Sequence, residues 1–105
     1  MENLPEFELN STDELKQFMA DQKLLISELT FDAIKKALKE GALYMPVMKI
    51  IVHDLPIAII TVKRDKFNES LSKCLTHFEE DEQYEKCAEI VKILRNDLYL
   101  DVDAK

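Results

Sequence analysis

The sequence predicts an α+β fold: two helices, a β-hairpin, then an antiparallel helical hairpin (αα-ββ-αα). Two patterns indicate this order. Apolar residues recur at three- and four-residue spacing on both sides of a central stretch, which is typical of amphipathic helices. The central stretch, residues 47–63, is rich in Ile and Val and contains a short turn sequence. The chain has 105 residues with one Gly and three Pro, so residues 1–105 are expected to form a single domain with short connections.

The charge balance argues against some classes of function. The chain has 21 acidic and 14 basic residues, for a net charge of −7. Because phosphate backbones are bound by Lys and Arg, direct binding of nucleic acid is disfavoured. The longest apolar stretch, residues 42–62, is interrupted by charged residues and Pro, and the N-terminus lacks the apolar segment of a signal peptide. We therefore expect a cytoplasmic protein without membrane contact, with reduced thiols.

The N-terminal part is predicted to hold an extended arm and a first helix. Residues 1–10 form the arm, in which apolar and acidic residues alternate as in a short strand. The helix should begin near Ser11 or Thr12, since both are good N-cap residues. Only Gln22 interrupts its apolar face. The other residues of that face are Leu15, Phe18, Met19, Leu25, Ile26 and Leu29.

A second helix is predicted to begin at Ser27 or Thr30. Gly41 stands where a left-handed residue would end it, and Pro46 prevents its continuation. The residues predicted for its inner face are Phe31, Ile34, Ala37 and Leu38.

The central hairpin is predicted to have strands at 47–53 and 57–63, joined by a turn at 54–56. This turn would fix the pairing and direct the paired side chains toward the helices. The predicted pairs are Val52 with Ala58, Ile50 with Ile60 and Met48 with Val62.

The opposite face of the hairpin is predicted to carry an apolar patch of Ile51, Ile57 and Ile59. Because an isolated two-stranded sheet is marginal in water, we expect the hairpin to be supported further. Residues 6–9, a second copy of the chain or a partner protein are the candidates. The remaining residues of this face are Val47, Lys49, His53, Thr61 and Lys63.

Two further helices are predicted after the hairpin. The third begins near Asp65, the run Glu79–Glu82 makes an acidic turn, and Asp101–Lys105 is a frayed tail. The apolar stripe of the third helix is Phe67, Leu71, Cys74, Leu75 and Phe78. The stripe of the fourth is Tyr84, Cys87, Ala88, Val91, Leu94 and Leu98, widened by Ile90 and Ile93.

The cysteines lie about equally far on either side of the acidic turn. In an antiparallel helical hairpin, Cys74 and Cys87 would therefore approach each other. The favoured interpretation is that both are small buried hydrophobic residues. A redox switch is the first alternative and needs an exposed thiol with a lowered pKa. A zinc site at Cys74, His77 and Cys87 is the second, although structural zinc usually has four ligands.

Two polar clusters invite a catalytic or binding role. His53-Asp54 could act in acid–base chemistry, but a turn is the favoured interpretation. Lys63, Arg64 and Lys66 could hold an anion, but solvated charges at a strand end are favoured. The sequence has no nucleophile elbow, glycine-rich phosphate loop or HExxH motif. We therefore expect no enzyme activity, catalytic residue, cofactor or metal.

A short pattern spans the end of the acidic turn and the start of the predicted fourth helix. Residues 82–90 place an aromatic residue at Tyr84, an acid at Glu85, small residues at Cys87 and Ala88, and an aliphatic residue at Ile90. This segment resembles the UVR motif, a short helical hairpin at subunit contacts of bacterial excision-repair proteins and some kinase-activator proteins. The family usually has an Arg-Asp pair at the positions of Val91 and Lys92, and this chain has neither residue there. The pattern is also similar to small uncharacterised proteins of bacteria and their phages. The resemblance implies a helical hairpin that contacts another protein.

These observations favour a small acidic protein–protein interaction module, such as an adaptor, inhibitor or accessory subunit. Its partner would be another protein, and a homodimer with a second copy is one form of this. One alternative is an acidic mimic of nucleic acid that inhibits a DNA- or RNA-binding enzyme. Another is a metal- or thiol-dependent function at Cys74, His77 and Cys87. The predicted contact residues are Ile51, Ile57 and Ile59 on the hairpin and Glu79, Glu80, Asp81, Glu82 and Glu85 near the acidic turn.

Overall fold

The computed structural model describes residues 4–95, which form a mixed α+β fold. Within this range lie four α-helices and one three-stranded sheet. No helix of the described residues is long and apolar enough to cross a membrane. The elements in chain order are β1 (Glu6–Leu9), α1 (Glu14–Asp21), α2 (Lys23–Glu40), β2 (Tyr44–Val52), β3 (Leu55–Lys63), a 3-10 turn (Arg64–Lys66), α3 (Phe67–Glu80) and α4 (Tyr84–Ile93).

The strand β1 extends the hairpin to a sheet with the order β1-β2-β3. The arm predicted for residues 1–10 therefore contains a strand, which pairs parallel to β2, whereas β2 and β3 are antiparallel. Phe7 lies beside Ile50 and Leu9 lies beside Val52 in the register. Both side chains pack against the core. The third strand supplies the support that an isolated hairpin lacks.

The hairpin turn is tighter than predicted. His53 and Asp54 form a two-residue turn with φ angles of 52° and 65°, the left-handed backbone of a type I′ turn. The pairs in the middle and at the end of the hairpin are Met48 with Ile60, Ile50 with Ala58 and Val52 with Leu55. The predicted pairing was therefore wrong, by two residues in the middle of the hairpin. An even shift leaves each side chain on its predicted face, so the helix-facing set is unchanged there.

Two bulges interrupt the hairpin. The register shifts leave one extra residue on β2, at Val47, and one extra residue on β3, at Ile57. Val47 was predicted on the face away from the helices, and that prediction was wrong because the side chain is only 4% exposed. A bulge lets two successive residues face the same side, and here Val47 joins Met48 in the core.

The boundary between the first two helices lies earlier than predicted. The chain leaves the helical conformation at Gln22, with φ of −111° and ψ of 31°, and α2 begins at the next residue. The apolar stripe continues across this break, so its spacing did not reveal the boundary. The other end of α2 was predicted correctly. Gly41 adopts φ of 70° as its C-cap, and the N–H of Ala42 donates to the carbonyl of Ala37 at 2.9 Å.

The core lies where α2 and α3 meet one face of the sheet, and α4 adds to it by packing against α3. Helix α2 packs against β2 and α3, and α3 packs against α4. The inner faces predicted for α2 and α3 are confirmed, except that Leu38 and Leu75 are only partly buried. The largest fully buried side chains are Phe31, Phe67, Phe78, Ile34, Met48, Ile50, Leu71 and Ile90.

The stripe predicted for α4 needs a correction. Its buried residues are Cys87 and Ile90, whereas Tyr84 is 64% exposed and Val91 is 39% exposed. Apolar residues occupy more than one side of this helix, and the side that contains Ile90 is the one that packs into the core. Two ion pairs join that helix to α2: Lys86 to Glu28 at 3.0 Å and Lys35 to Glu89 at 3.5 Å. Leu98 and the tail Asp101–Lys105 lie outside the described residues.

Candidate interaction surface

One face of the sheet is covered by helices and the other is open. On the open side, Ile57 is 41% exposed, Ile59 is 55% exposed and Ile51 is half-buried. We call the surface formed by these three residues the apolar patch. The alternation of side chains along each strand places them opposite the core residues. Large apolar side chains that converge on an uncovered sheet face mark a contact surface more often than isolated ones do.

The open side changes in character across the sheet. At the β1 edge, the exposed carboxylates Glu6 and Glu8 lie beside Lys49 and Ile51. Glu6 forms an ion pair with Lys49 at 3.5 Å, and Lys49 in turn lies beside Ile59 on β3. The charges are thus concentrated at one edge of the sheet, and the apolar patch borders the other edge.

The two edges of the sheet also differ in length. β1 has four residues and β3 has nine. Within residues 4–95, β3 has a neighbouring strand on one side only. Sheet edges are commonly protected by short strands, charges, bulges or Pro. On β3 these features, the bulge at Ile57 and Pro56, lie at its start, and Lys63 lies at its end. The segment between them, residues 58–62, has none of them.

The acidic residues predicted for contact form a second surface. All five lie around the connection between α3 and α4, where Glu82 adopts φ of 58°. Glu80 pairs with Lys23 at 3.5 Å, and Asp81 accepts a hydrogen bond from the side chain of Gln83 at 2.7 Å. These carboxylates are exposed. The acidic turn and the sheet are separate elements of the fold, so this surface is distinct from the apolar patch. The exposed acidic side chains are Glu79, Glu80, Asp81, Glu82 and Glu85.

Both cysteines are buried in the same core cluster. Burial raises the pKa of the Cys74 thiol, although a hydrogen bond with Ser27 lowers it in part. Burial also raises the pKa of the Cys87 thiol, and the carboxylate of Glu79 raises it further. A raised pKa leaves less thiolate at neutral pH, and the thiolate is the reactive form. These surroundings favour a packing role over the redox alternative.

His77 has a partner that its sequence position does not reveal. Its Nδ1 lies 2.6 Å from the hydroxyl oxygen of Ser27, and the thiol of Cys74 donates to the carbonyl of Ser27 at 3.5 Å. Ser27 is buried at the contact between α2 and α3. Among residues 4–95, no group of three or more His, Cys, Asp or Glu side chains is placed to hold a metal ion. The ligand set considered for zinc is therefore not assembled.

The remaining polar residues considered for catalysis or anion binding take part in local turns and contacts. His53 and Asp54 make the hairpin turn described above. In the basic cluster, Lys66 pairs with Glu69 at 3.7 Å, and the Arg64 guanidinium lies 5.8 Å from the ring centre of Phe67. These contacts join the cluster to the first turn of α3.

An open groove between α3 and α4 was not predicted from the sequence. Its volume is about 480 Å³. The thiol-bearing Cys87 lies among its lining residues, and Val91 contributes an exposed apolar side chain. The misassigned stripe of α4 explains the omission, because residues expected in the core line this groove instead. Its lining residues are Leu75, Glu79, Cys87, Ala88, Val91, Lys92 and Arg95.

Comparison with models of known families, with curated proteins and with solved structures gives no match to this chain. The resemblance of residues 82–90 to the UVR motif therefore stays a prediction.

Proposed function

We propose that the protein is a small interaction module that binds another protein through the open side of its sheet. The observation that supports this most directly is the apolar patch. Ile57 and Ile59 are large apolar side chains that remain exposed, and both lie on one strand at the sheet edge. Covering them would remove apolar area from water without rearranging the core.

The patch has the layout of a protein contact. Its apolar centre is bordered by the ion pair of Lys49 with Glu6 and by exposed Thr61. Apolar centres with polar rims are typical of protein interfaces. The patch therefore offers both a desolvated centre and groups that would fix the orientation of a partner.

The test is a tagged pull-down with Ile59→Glu and a matched control. A buried carboxylate opposite a partner should weaken binding roughly 30-fold or more, as for a central contact residue. The free protein should stay folded, because Ile59 is 55% exposed and strand propensities differ by only about 1 kcal/mol. Capture from a cell lysate, with partners identified by mass spectrometry, measures binding. Circular dichroism measures folding.

The control variant is Val91→Glu. It makes the same change at a 39% exposed apolar residue in the groove between α3 and α4. We expect this variant to retain the partner even after a high-salt wash. Loss of the partner in Val91→Glu but not in Ile59→Glu would place the contact in the groove and refute the proposal. Unfolding of Ile59→Glu would show that Ile59 belongs to the core.

The second candidate function is inhibition of a nucleic-acid enzyme by mimicry of phosphates. The supporting observation is the exposure of the carboxylates from Glu79 to Glu85 at one turn. Such a contact is electrostatic, so it weakens as salt screens the charges. Replacing Glu79 and Glu82 with Gln should then release a nucleic-acid enzyme that the unchanged protein captures at low salt. Capture that is insensitive to both salt and these substitutions would exclude mimicry.

A further inference from the structure

The edge of β3 is suited to binding another copy of itself. We propose that β3 pairs antiparallel with β3 of a second chain, which would join two three-stranded sheets into one sheet of six strands. This inference rests on the proposed function, because it places a second copy beside the same apolar patch and extends that patch. The outward-facing N–H and C=O groups along residues 58–62 supply the pairing, since within residues 4–95 no strand lies beyond β3.

A twofold axis at Ile59 places apolar side chains opposite one another at the centre of the strand pair. An isologous interface places the same surface of each copy against the other. Antiparallel pairing around residue 59 sets Ile59 opposite its own counterpart and brings Thr61 of each copy near the bulged Ile57 of the other. These residues are exposed on the open side, where an aliphatic pair and an aliphatic–Thr pair are favourable cross-strand neighbours.

The charges at the two ends of β3 favour this direction. The hairpin turn contributes exposed Asp54, whereas the other end of the strand contributes exposed Lys63. When the two strands are antiparallel, Asp54 of each copy lies near Lys63 of the other. Parallel pairing would instead set each of these charges beside its own kind. The attraction occurs twice in the dimer because the twofold axis repeats it.

Pairing would also change the binding surface. The apolar patches of the two copies would adjoin across the new strand pair and form one continuous apolar surface on the open side. The acidic turn after α3 is not part of this contact. The chain carries a net charge of −7, but the pairing brings the anion at one end of β3 near the cation at the other end.

The test is sedimentation equilibrium of the full chain over a wide concentration range, with two matched charge variants. Lys63→Glu places a carboxylate near Asp54 of the second copy, twice per dimer, so we expect roughly tenfold weaker association. Lys73→Glu makes the same charge change at an exposed position on α3 and should leave association unchanged. A monomeric wild-type protein at the highest concentration overturns the inference. So does a dimer that Lys63→Glu leaves intact.

Amide hydrogen exchange identifies the contact in the same samples. We expect slowed exchange at outward-facing amides of residues 58–62 in the dimer, and fast exchange in a dilute monomer, while β1 does not change. A monomer in which these amides are already protected would mean that the edge is covered within one chain, which also overturns the inference. If the protein is monomeric but Ile59→Glu still abolishes capture of a different protein, the proposed function stands without this inference. If Ile59→Glu abolishes only the dimer, the inference stands alone.

Discussion

Replacing Phe78 with Ala should lower the free energy of unfolding by about 3–5 kcal/mol, the usual cost of removing a buried aromatic side chain. Phe78 is fully buried on α3. Its ring centre lies 6.0 Å from that of Phe31 on α2, and Lys86 of α4 places its ammonium 5.2 Å from the same ring. One side chain of α3 thus contacts two neighbouring helices, α2 and α4. Urea denaturation followed by circular dichroism measures the change.

Phe18→Ala is the matched control for this prediction. Phe18 lies on α1, is only partly buried, and packs against Phe7 with ring centres 5.1 Å apart. Because less area is removed from the core, we expect a loss of roughly 1–2 kcal/mol. Domains of this size are stabilised by about 5–15 kcal/mol, so the larger loss at Phe78 takes away a substantial share. Equal losses in the two variants would contradict the central role assigned to Phe78.

The helix faces in the core could be predicted because they depend on local spacing. Phe31, Ile34 and Ala37 repeat at three-residue steps, and Phe67, Leu71 and Phe78 recur near the helical period. Each set is buried as predicted. The α+β class followed from the helical spacing in the flanks and from the central segment, which is rich in Ile and Val and contains a short turn sequence.

The boundaries and the hairpin turn depended on features that spacing does not encode. Gln22 ends a helix without Gly or Pro, and the turn at His53-Asp54 adopts left-handed angles without Gly. Type I′ turns usually contain Asn or Gly, so the nearby Pro56 appeared to mark the turn instead. The bulge at Ile57 then added a residue to β3 that no sequence pattern had indicated.

The candidate surface was only partly predictable for a similar reason. Alternation placed Ile51, Ile57 and Ile59 together on the side away from the helices. It could not show which strand lies at an edge, because that depends on β1 joining β2 from more than thirty residues away. The hydrogen bond between Ser27 and His77 joins residues separated by 50 positions, so it too is a product of tertiary packing.

Ile50→Glu should abolish stable folding at neutral pH. Ile50 is fully buried on β2, between Phe7 on β1 and Ala58 on β3 in the sheet register. Transfer of an unpaired carboxylate into this core would cost several kcal/mol, and the lost apolar packing adds to it. That sum approaches the whole stability of a domain of this size. Circular dichroism and amide proton dispersion in NMR spectra measure the loss of structure.

Ile59→Glu is the control, because the same carboxylate would stand on the open side, where its host residue is 55% exposed. The pH dependence provides a second test. Burial would raise the pKa of the carboxyl introduced at residue 50 in the folded state, so its destabilising effect is largest above that pKa and decreases as the pH falls. The stability difference between Ile50→Glu and wild type should therefore shrink toward pH 4, whereas that of Ile59→Glu should stay nearly constant. Equal destabilisation by the two substitutions at pH 7 would mean that both faces of the sheet are covered, which would contradict the open side and the contact proposed for its apolar patch.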